Sequence, residues 1–226
     1  MSLILCIETA TTMCSVALGR DGKVVAVKEL NQGYTHAENL TVFIQDVMKQ
    51  AGVEFSRLDA IAVSKGPGSY TGLRIGVSAA KGLCYALEKS LISVGTLYSM
   101  FGSVKDKASF VKAELFCPMI DARRMEVYCA IYDRNGNTLK DVSAEVIAGD
   151  SFQNFIAGKK TVFFGDGANK CSPVLGESPE RIFVNNIFPS ASALVPLAER
   201  KFREKQFEDV AYFEPFYLKD FVAGKK

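Results

Sequence analysis

Gly66-Pro67-Gly68-Ser69-Tyr70-Thr71-Gly72-Leu73-Arg74-Ile75-Gly76 is the segment on which the reading of this chain turns. Before it, residues 58–63 read as a buried strand, and after it residues 71–88 read as a helix. Glycines where a strand turns into a helix permit positive φ and close approach of another backbone. Free N–H groups at the helix start can hold an anion. The segment is close to G-x-G-x-x-G with Thr71 in the last position, and it is not a Walker A loop, because no Gly-Lys-Ser/Thr follows. Two readings stay open. One is a tight, capped strand-to-helix turn. The other is an anion or nucleotide loop built from Gly66, Gly68, Ser69 and Thr71, with Glu8 and Thr9 from the end of the first strand.

Outward from that segment, residues 2–7 form a short apolar run that reads as a central strand, meeting a carboxylate at Glu8. Residues 15–18 and 24–29 alternate around Gly19-Arg20-Asp21-Gly22, a hairpin signal. Leu40, Phe43, Ile44, Val47, Met48 and Ala51 recur at helical spacing over residues 37–51. Residues 91–94 read as a strand, and Thr96 as the cap of a helix running to about Val104. The second half repeats the grammar. Residues 115–120 end in Asp121, 125–132 and 138–147 flank the turn Asp133-Arg134-Asn135-Gly136, and 151–157 look helical. A strand at 161–164 enters Gly165-Asp166-Gly167, and 190–206 form an amphipathic helix. Strand, acid, hairpin, strand, helix, strand and glycine turn thus occur twice. The chain reads as α/β with two duplicated lobes, 1–104 and 105–226.

Composition narrows the function. The chain has 226 residues, 48% hydrophobic and 23% charged, which gives it enough apolar surface for a large core. A formal charge of +2 argues against a dedicated nucleic-acid binder. No apolar run approaches the ~20 residues of a membrane span, and the N-terminus reads as a strand rather than an export signal. Six scattered cysteines without C-x-x-C read as free thiols of a reducing cytoplasm. The single histidine, His36, excludes a two-histidine metal site and limits any Ser-His-Asp triad to that residue. The basic group Arg200, Lys201, Arg203 and Lys205, like Lys225-Lys226, reads as solvated surface.

The 71–88 helix is apolar or small around most of its girth, with one polar stripe of Arg74, Ser78, Lys81, Tyr85 and Glu88. The preceding helix carries Val42 beside Thr41 outside its core face. Two outcomes compete for such a helix, complete burial within the chain or burial partly by a second subunit; surplus apolar surface on two neighbouring helices points to a docking patch.

Together these residues resemble the TsaB (YeaZ) family. The resemblance is strongest in Gly66–Gly76, and is supported by Ile7-Glu8-Thr9-Ala10-Thr11, by His36-Ala37-Glu38-Asn39-Leu40, by Asp121-Ala122-Arg123-Arg124-Met125-Glu126-Val127-Tyr128, by Gly165-Asp166-Gly167-Ala168 and by Pro215-Phe216-Tyr217-Leu218-Lys219. It spans essentially the whole chain; one departure is Glu8, where many relatives carry Asp. It implies an actin-like ATPase fold and no catalytic or metal residue of the chain's own. It implies a non-catalytic partner of TsaD, the two-lobed subunit that transfers threonylcarbamoyl to adenosine 37 of tRNAs reading codons that begin with A. The small ATPase TsaE completes that assembly, ATP acts only at the level of the complex, and tRNA is met only through it.

The family pairs through its first-lobe helices, with TsaD or with a second copy of itself. On that basis the expected partner-binding residues are Glu38, Leu40, Phe43, Ile44, Val47, Arg74, Gly76, Ala79, Ala80 and Leu83, with Glu38 and Arg74 setting register by charge. Two other classes compete. A small-molecule phosphotransferase would use Glu8 or Asp121 as its carboxylate, against which Arg123 stands. A peptidase-like hydrolase would have only His36 to work with.

Overall fold

The computed structural model describes residues 1–33, 35–176 and 178–219; the Lys225-Lys226 pair lies outside them. The chain divides into two compact units, residues 1–96 with 190–226, and residues 97–189.

In the first unit, β1 (Leu3–Glu8), β2 (Met13–Arg20) and β3 (Lys23–Asn31) form an antiparallel meander. Asp21 and Gly22 both take positive φ in the tight turn between β2 and β3, as a two-residue hairpin loop demands. α1 (His36–Ala51), β4 (Ala60–Gly66), α2 (Tyr70–Leu87) and β5 (Ser90–Gly95) follow. β4 and β5 add in parallel, giving the order β3-β2-β1-β4-β5. Side chains alternate across the pleat. Leu5, Ile7, Ile61 and Val63 face a core shared with Leu40, Phe43, Ile44 and Val47 of α1 and with Val77 and Ala80 of α2. Ile4, Cys6, Ala60, Ala62 and Ala17 face the other way.

The second unit runs α3 (Thr96–Val104, entering at Leu97), β6 (Leu115–Asp121), β7 (Glu126–Asp133), β8 (Thr138–Val146), α4 (Gln153–Ile156), β9 (Thr161–Phe164), α5 (Ala168–Leu175) and β10 (Arg181–Val184). Its sheet has the order β10-β9-β6-β7-β8, with β6–β7–β8 antiparallel and β6–β9–β10 parallel. Strand for strand this repeats the first sheet. The duplication is the one that the repeated grammar of the sequence predicts, and the fold is the actin-like ATPase fold that the family resemblance implies.

The lobe boundaries differ from those expected at 104/105, and burial explains why. Leu97, Met100, Phe101 and Val104 of α3 are buried with Phe116, Ile120 and Phe164 of the second sheet. α6 (Ala191–Arg203) returns to the first unit, burying Leu194, Val195 and Ala198 on Ile4, Cys6, Ala60 and Ala62. The approach is close: a Cβ at Gly19 would lie 2.6 Å from Val195. Each sheet is therefore closed by the helix that follows the other sheet. α5 and β10 are absent from the sequence reading. α5 carries Pro173 inside it, which masks the helical pattern, and all four residues of β10 are only half-buried. No described helix is long and apolar enough to cross a membrane.

Candidate interaction surface

The turn from β1 to β2, Glu8-Thr9-Ala10-Thr11, is held by the starts of α1 and α2. The His36 imidazole, at the first position of α1, donates through Nε2 to the Thr11 carbonyl at 2.7 Å. At the entry to α2, the Ser69 N–H donates to the Ala10 carbonyl at 2.7 Å. Ser69 also caps its helix, its hydroxyl accepting from the Gly72 N–H at 3.2 Å. The glycines then make the contact possible. A Cβ at Gly68 would run into the Ala10 carbonyl, one at Gly72 into the Thr9 carbonyl, and one at Gly76 into the Thr9 hydroxyl.

This geometry fits the capped-turn reading of the Gly66–Gly76 segment. Where an anion would need space and free N–H groups, peptide carbonyl oxygens of residues 9 and 10 occupy the space, and their partial negative charge opposes an anion. Of the remaining loop residues, Gly66 lies against the Phe216 carbonyl, where a Cβ would come within 2.7 Å, and Thr71 is exposed. Glu8 is fully buried. Its Oε1 accepts from the Ser64 hydroxyl at 2.6 Å and from the Ala10 N–H at 2.7 Å, while Oε2 and the Thr9 hydroxyl are buried without a partner. Burial pushes the Glu8 carboxyl up to about 7, against the lowering effect of those hydrogen bonds. Burial likewise lowers the His36 imidazole, against the bond to Thr11. Among the described residues, no three His, Cys, Asp or Glu side chains are grouped to hold a metal.

The expected partner-binding residues separate by burial. Leu40, Phe43, Ile44, Val47 and Ala80 are 0–5% exposed and belong to the chain's own core, because they sit on the face of α1 that covers β2 and β3 and on the face of α2 that covers β4. Gly76 is spent on Thr9. These six are thus not free to meet a partner. Ala79 and Leu83 are half-buried at the core's edge, and Glu38 and Arg74 are exposed. Arg74 donates to the Tyr70 hydroxyl at 3.1 Å and lies over that ring, so its charge is anchored locally.

The outward surface is the complement of the helical periodicity. Thr41, Val42 and Gln45 are exposed on α1, as are Ser78, Gly82, Tyr85 and Ala86 on α2. Tyr85 is 85% exposed, and a Cβ at Gly82 would meet nothing within 4 Å. A second element, invisible in the sequence, borders this face. The Lys81 ammonium donates to the Ala211 and Phe213 carbonyls, each at 3.1 Å, and the Phe216 N–H donates to the Lys65 carbonyl at 2.7 Å. Val210 and Phe213 pack on the core, and Tyr217 lies 4.8 Å from Tyr70. Residues 207–217 are therefore a strap that leaves β5, where the Glu208 N–H donates to the Leu91 carbonyl, and runs on along α2 from Ala211.

The corresponding turn of the second unit is organised by a residue the sequence reading passes over. The Lys170 ammonium reaches the Asp121 carboxylate at 2.5 Å and the Arg124 and Glu126 carbonyls at 2.7 Å each. Asp121 pairs with Lys170 rather than with Arg123 or Arg124, both of which take positive φ.

Comparison with known proteins agrees with this architecture. A family model described as TsaD: tRNA N6-adenosine threonylcarbamoyltransferase matches residues 23–226. The Escherichia coli K12 tRNA threonylcarbamoyladenosine biosynthesis protein TsaB is 35% identical, over 99% of this chain and 97% of that one. A solved structure from Pseudomonas aeruginosa, described as an uncharacterised protein with similarity to peptidase YEAZ, superposes with a TM-score of 0.83 at 26% identity, covering 97% of this chain and 100% of that one. A Geobacillus kaustophilus tRNA N6-adenosine threonylcarbamoyltransferase is 49% identical, but only over 59 residues, 17% of its length. The full-length match decides between the two, and within the wider group that the transferase model describes, this chain belongs to the TsaB (YeaZ) family.

Proposed function

We propose that this chain is a non-catalytic partner and activator of a TsaD-type subunit in the formation of N6-threonylcarbamoyladenosine at position 37 of tRNAs reading codons that begin with A. The observation that carries the reading is the close packing of α2 on the β1–β2 turn. It fills the space an anion would need at this loop with the chain's own backbone, and it leaves outward the back of α1, with Thr41 and Val42, and the back of α2, with the small residues Ser78, Gly82 and Ala86. His36 adds to it, being buried and tied to Thr11, where it is no use as a general base.

The partner subunit supplies metal, nucleotide and transfer chemistry. This chain holds it in the competent state by binding that state more tightly. A second copy of the chain competes for the same helices, TsaE joins the assembly, and tRNA is met through the complex, in the cytoplasm.

The test is a titration of the chain with the TsaD-type subunit of the same organism, followed by particle size and then threonylcarbamoyl transfer to tRNA. A stoichiometric complex on which transfer depends is expected. No complex, together with ATP hydrolysis by the chain alone, overturns the reading in favour of an enzyme.

A further inference from the structure

The edge of the first sheet remote from the β1–β2 turn holds a concavity of about 380 Å³ that the function above does not use. The ladder registers place its lining. Arg20 ends β2 opposite Leu3, the Asp59 N–H donates to the Leu3 carbonyl, and Lys89 precedes Ser90, the partner of Ala60. Arg20 and Leu3 therefore stand on β2 and β1, and Asp59 and Lys89 immediately before β4 and β5, at the same end of four neighbouring strands spaced about 4.8 Å apart. Arg57 comes in from the single 3₁₀ turn Phe55–Arg57, with Ser56 beside it, and the half-buried Leu3 supplies apolar surface. Three cations thus share one hollow whose single acid is Asp59. That carboxylate already accepts from the Leu3 N–H at 2.7 Å. The side chains of Arg20, Arg57 and Lys89 enter no ion pair or hydrogen bond among the described residues. Converging cations left unpaired at a concave site are matched by an anion with several acceptor oxygens.

We infer that this hollow binds a phosphate group, with Arg20, Arg57 and Lys89 on its oxygens and Leu3 against whatever the phosphate is attached to. The chemistry is that of a phosphate ester, carried either by a free mononucleotide or by an RNA strand. The inference is independent of the partner role, since the site lies at the opposite end of β1.

The experiment titrates the full chain with inorganic phosphate, with uridine 5′-monophosphate against uridine, and with unfractionated tRNA, at 50 and 200 mM salt. Arg57→Ala, Lys89→Ala and the double variant are compared with Arg123→Ala, a cation of the other unit. Thermal melting checks that each is folded, and Lys89→Gln replaces any alanine variant that is not. Expected is binding of uridine monophosphate but not uridine, weakened about fivefold per cation removed and further by salt, with Arg123→Ala unchanged. If tRNA binding alone shows that dependence, the phosphate is that of an RNA strand. Binding of none of the three probes, or binding unaffected by Arg57 and Lys89, overturns the inference.

Discussion

Gly76 of α2 lies so close to Thr9 that a single added methyl would overlap the Thr9 hydroxyl. The two residues fix the distance between helix and turn, and with it the height of the whole outer face of α2. Gly76→Ala should therefore destabilise the chain by about 2 kcal/mol, even though alanine is the better helix former by about 1 kcal/mol. Thr9→Ala in the Gly76→Ala background should restore part of the loss, because it removes the overlapping atom. A double-mutant cycle by chemical denaturation measures this, and additive losses would refute the contact.

Glu8 predicts a pH signature. Its carboxyl sits at about 7 in the folded chain against an ordinary 4.5, so the folded state holds the proton more tightly than the unfolded one. The stability from this group is fully present below 4.5 and is lost as pH rises through 7. The loss is on the order of 3 kcal/mol. Glu8→Gln lacks the titration. The gap between Glu8→Gln and the parent in urea midpoint should widen in favour of the variant from pH 5 to pH 8. A gap that stays constant with pH would mean that Glu8 is ionised throughout.

Ala80 and Gly82 are two positions apart on α2 and should behave in opposite ways. Ala80 is fully buried, so Ala80→Glu places an unpaired carboxylate in the core and should unfold the first unit. Gly82 has open space around it, so Gly82→Glu should leave the melting temperature unchanged or slightly higher while abolishing complex formation with the TsaD-type subunit. Complex formation by Gly82→Glu at parental affinity would move the docking surface away from this face.

The difference between those two positions shows what the sequence carried. Hydrophobic periodicity identified α1 and α2, the hairpin of the first unit and the duplication, because those follow from local spacing. Periodicity names the apolar face of a helix, and that face belongs to the core first. Hence Leu40, Phe43, Ile44, Val47 and Ala80 read as docking residues in the sequence but are core residues in the fold. The glycine string was legible as a close approach, but what approached it, Thr9 and Ala10, lies some sixty residues away in sequence. The Ser64 bond to Glu8 and the strap at 207–217 are likewise long-range pairings with no local signal.

The strap makes its own prediction. Lys81 holds two of its carbonyls, and the aromatic contact of Tyr217 with Tyr70 holds its end. Lys81→Met removes both bonds while keeping the aliphatic stem, a local loss of roughly 1 kcal/mol. Global melting should barely move, since the core is untouched. Limited proteolysis should cut between 207 and 219 several times faster, and the Phe216 amide should exchange faster with solvent. An unchanged cleavage rate would show that Val210 and Phe213 alone secure the segment.

Lys170 gives the corresponding test in the second unit. Its ammonium joins Asp121 to the carbonyls of Arg124 and Glu126, so it closes a turn in which Arg123 and Arg124 are both left-handed. Lys170→Met leaves three acceptors without their donor. Because the turn is open to water, the cost should be about 1–2 kcal/mol rather than that of a buried ion. Arg123→Ala should be nearly neutral, because the Asp121 carboxylate meets Lys170 and the Arg123 backbone N–H rather than the Arg123 guanidinium. Arg124→Gly should be neutral or mildly stabilising, since glycine takes φ near +46° without the steric cost an L side chain bears. Melting of the three variants ranks them. If Arg123→Ala proves as costly as Lys170→Met, the Arg123 guanidinium rather than the Lys170 ammonium is the partner of Asp121 in solution.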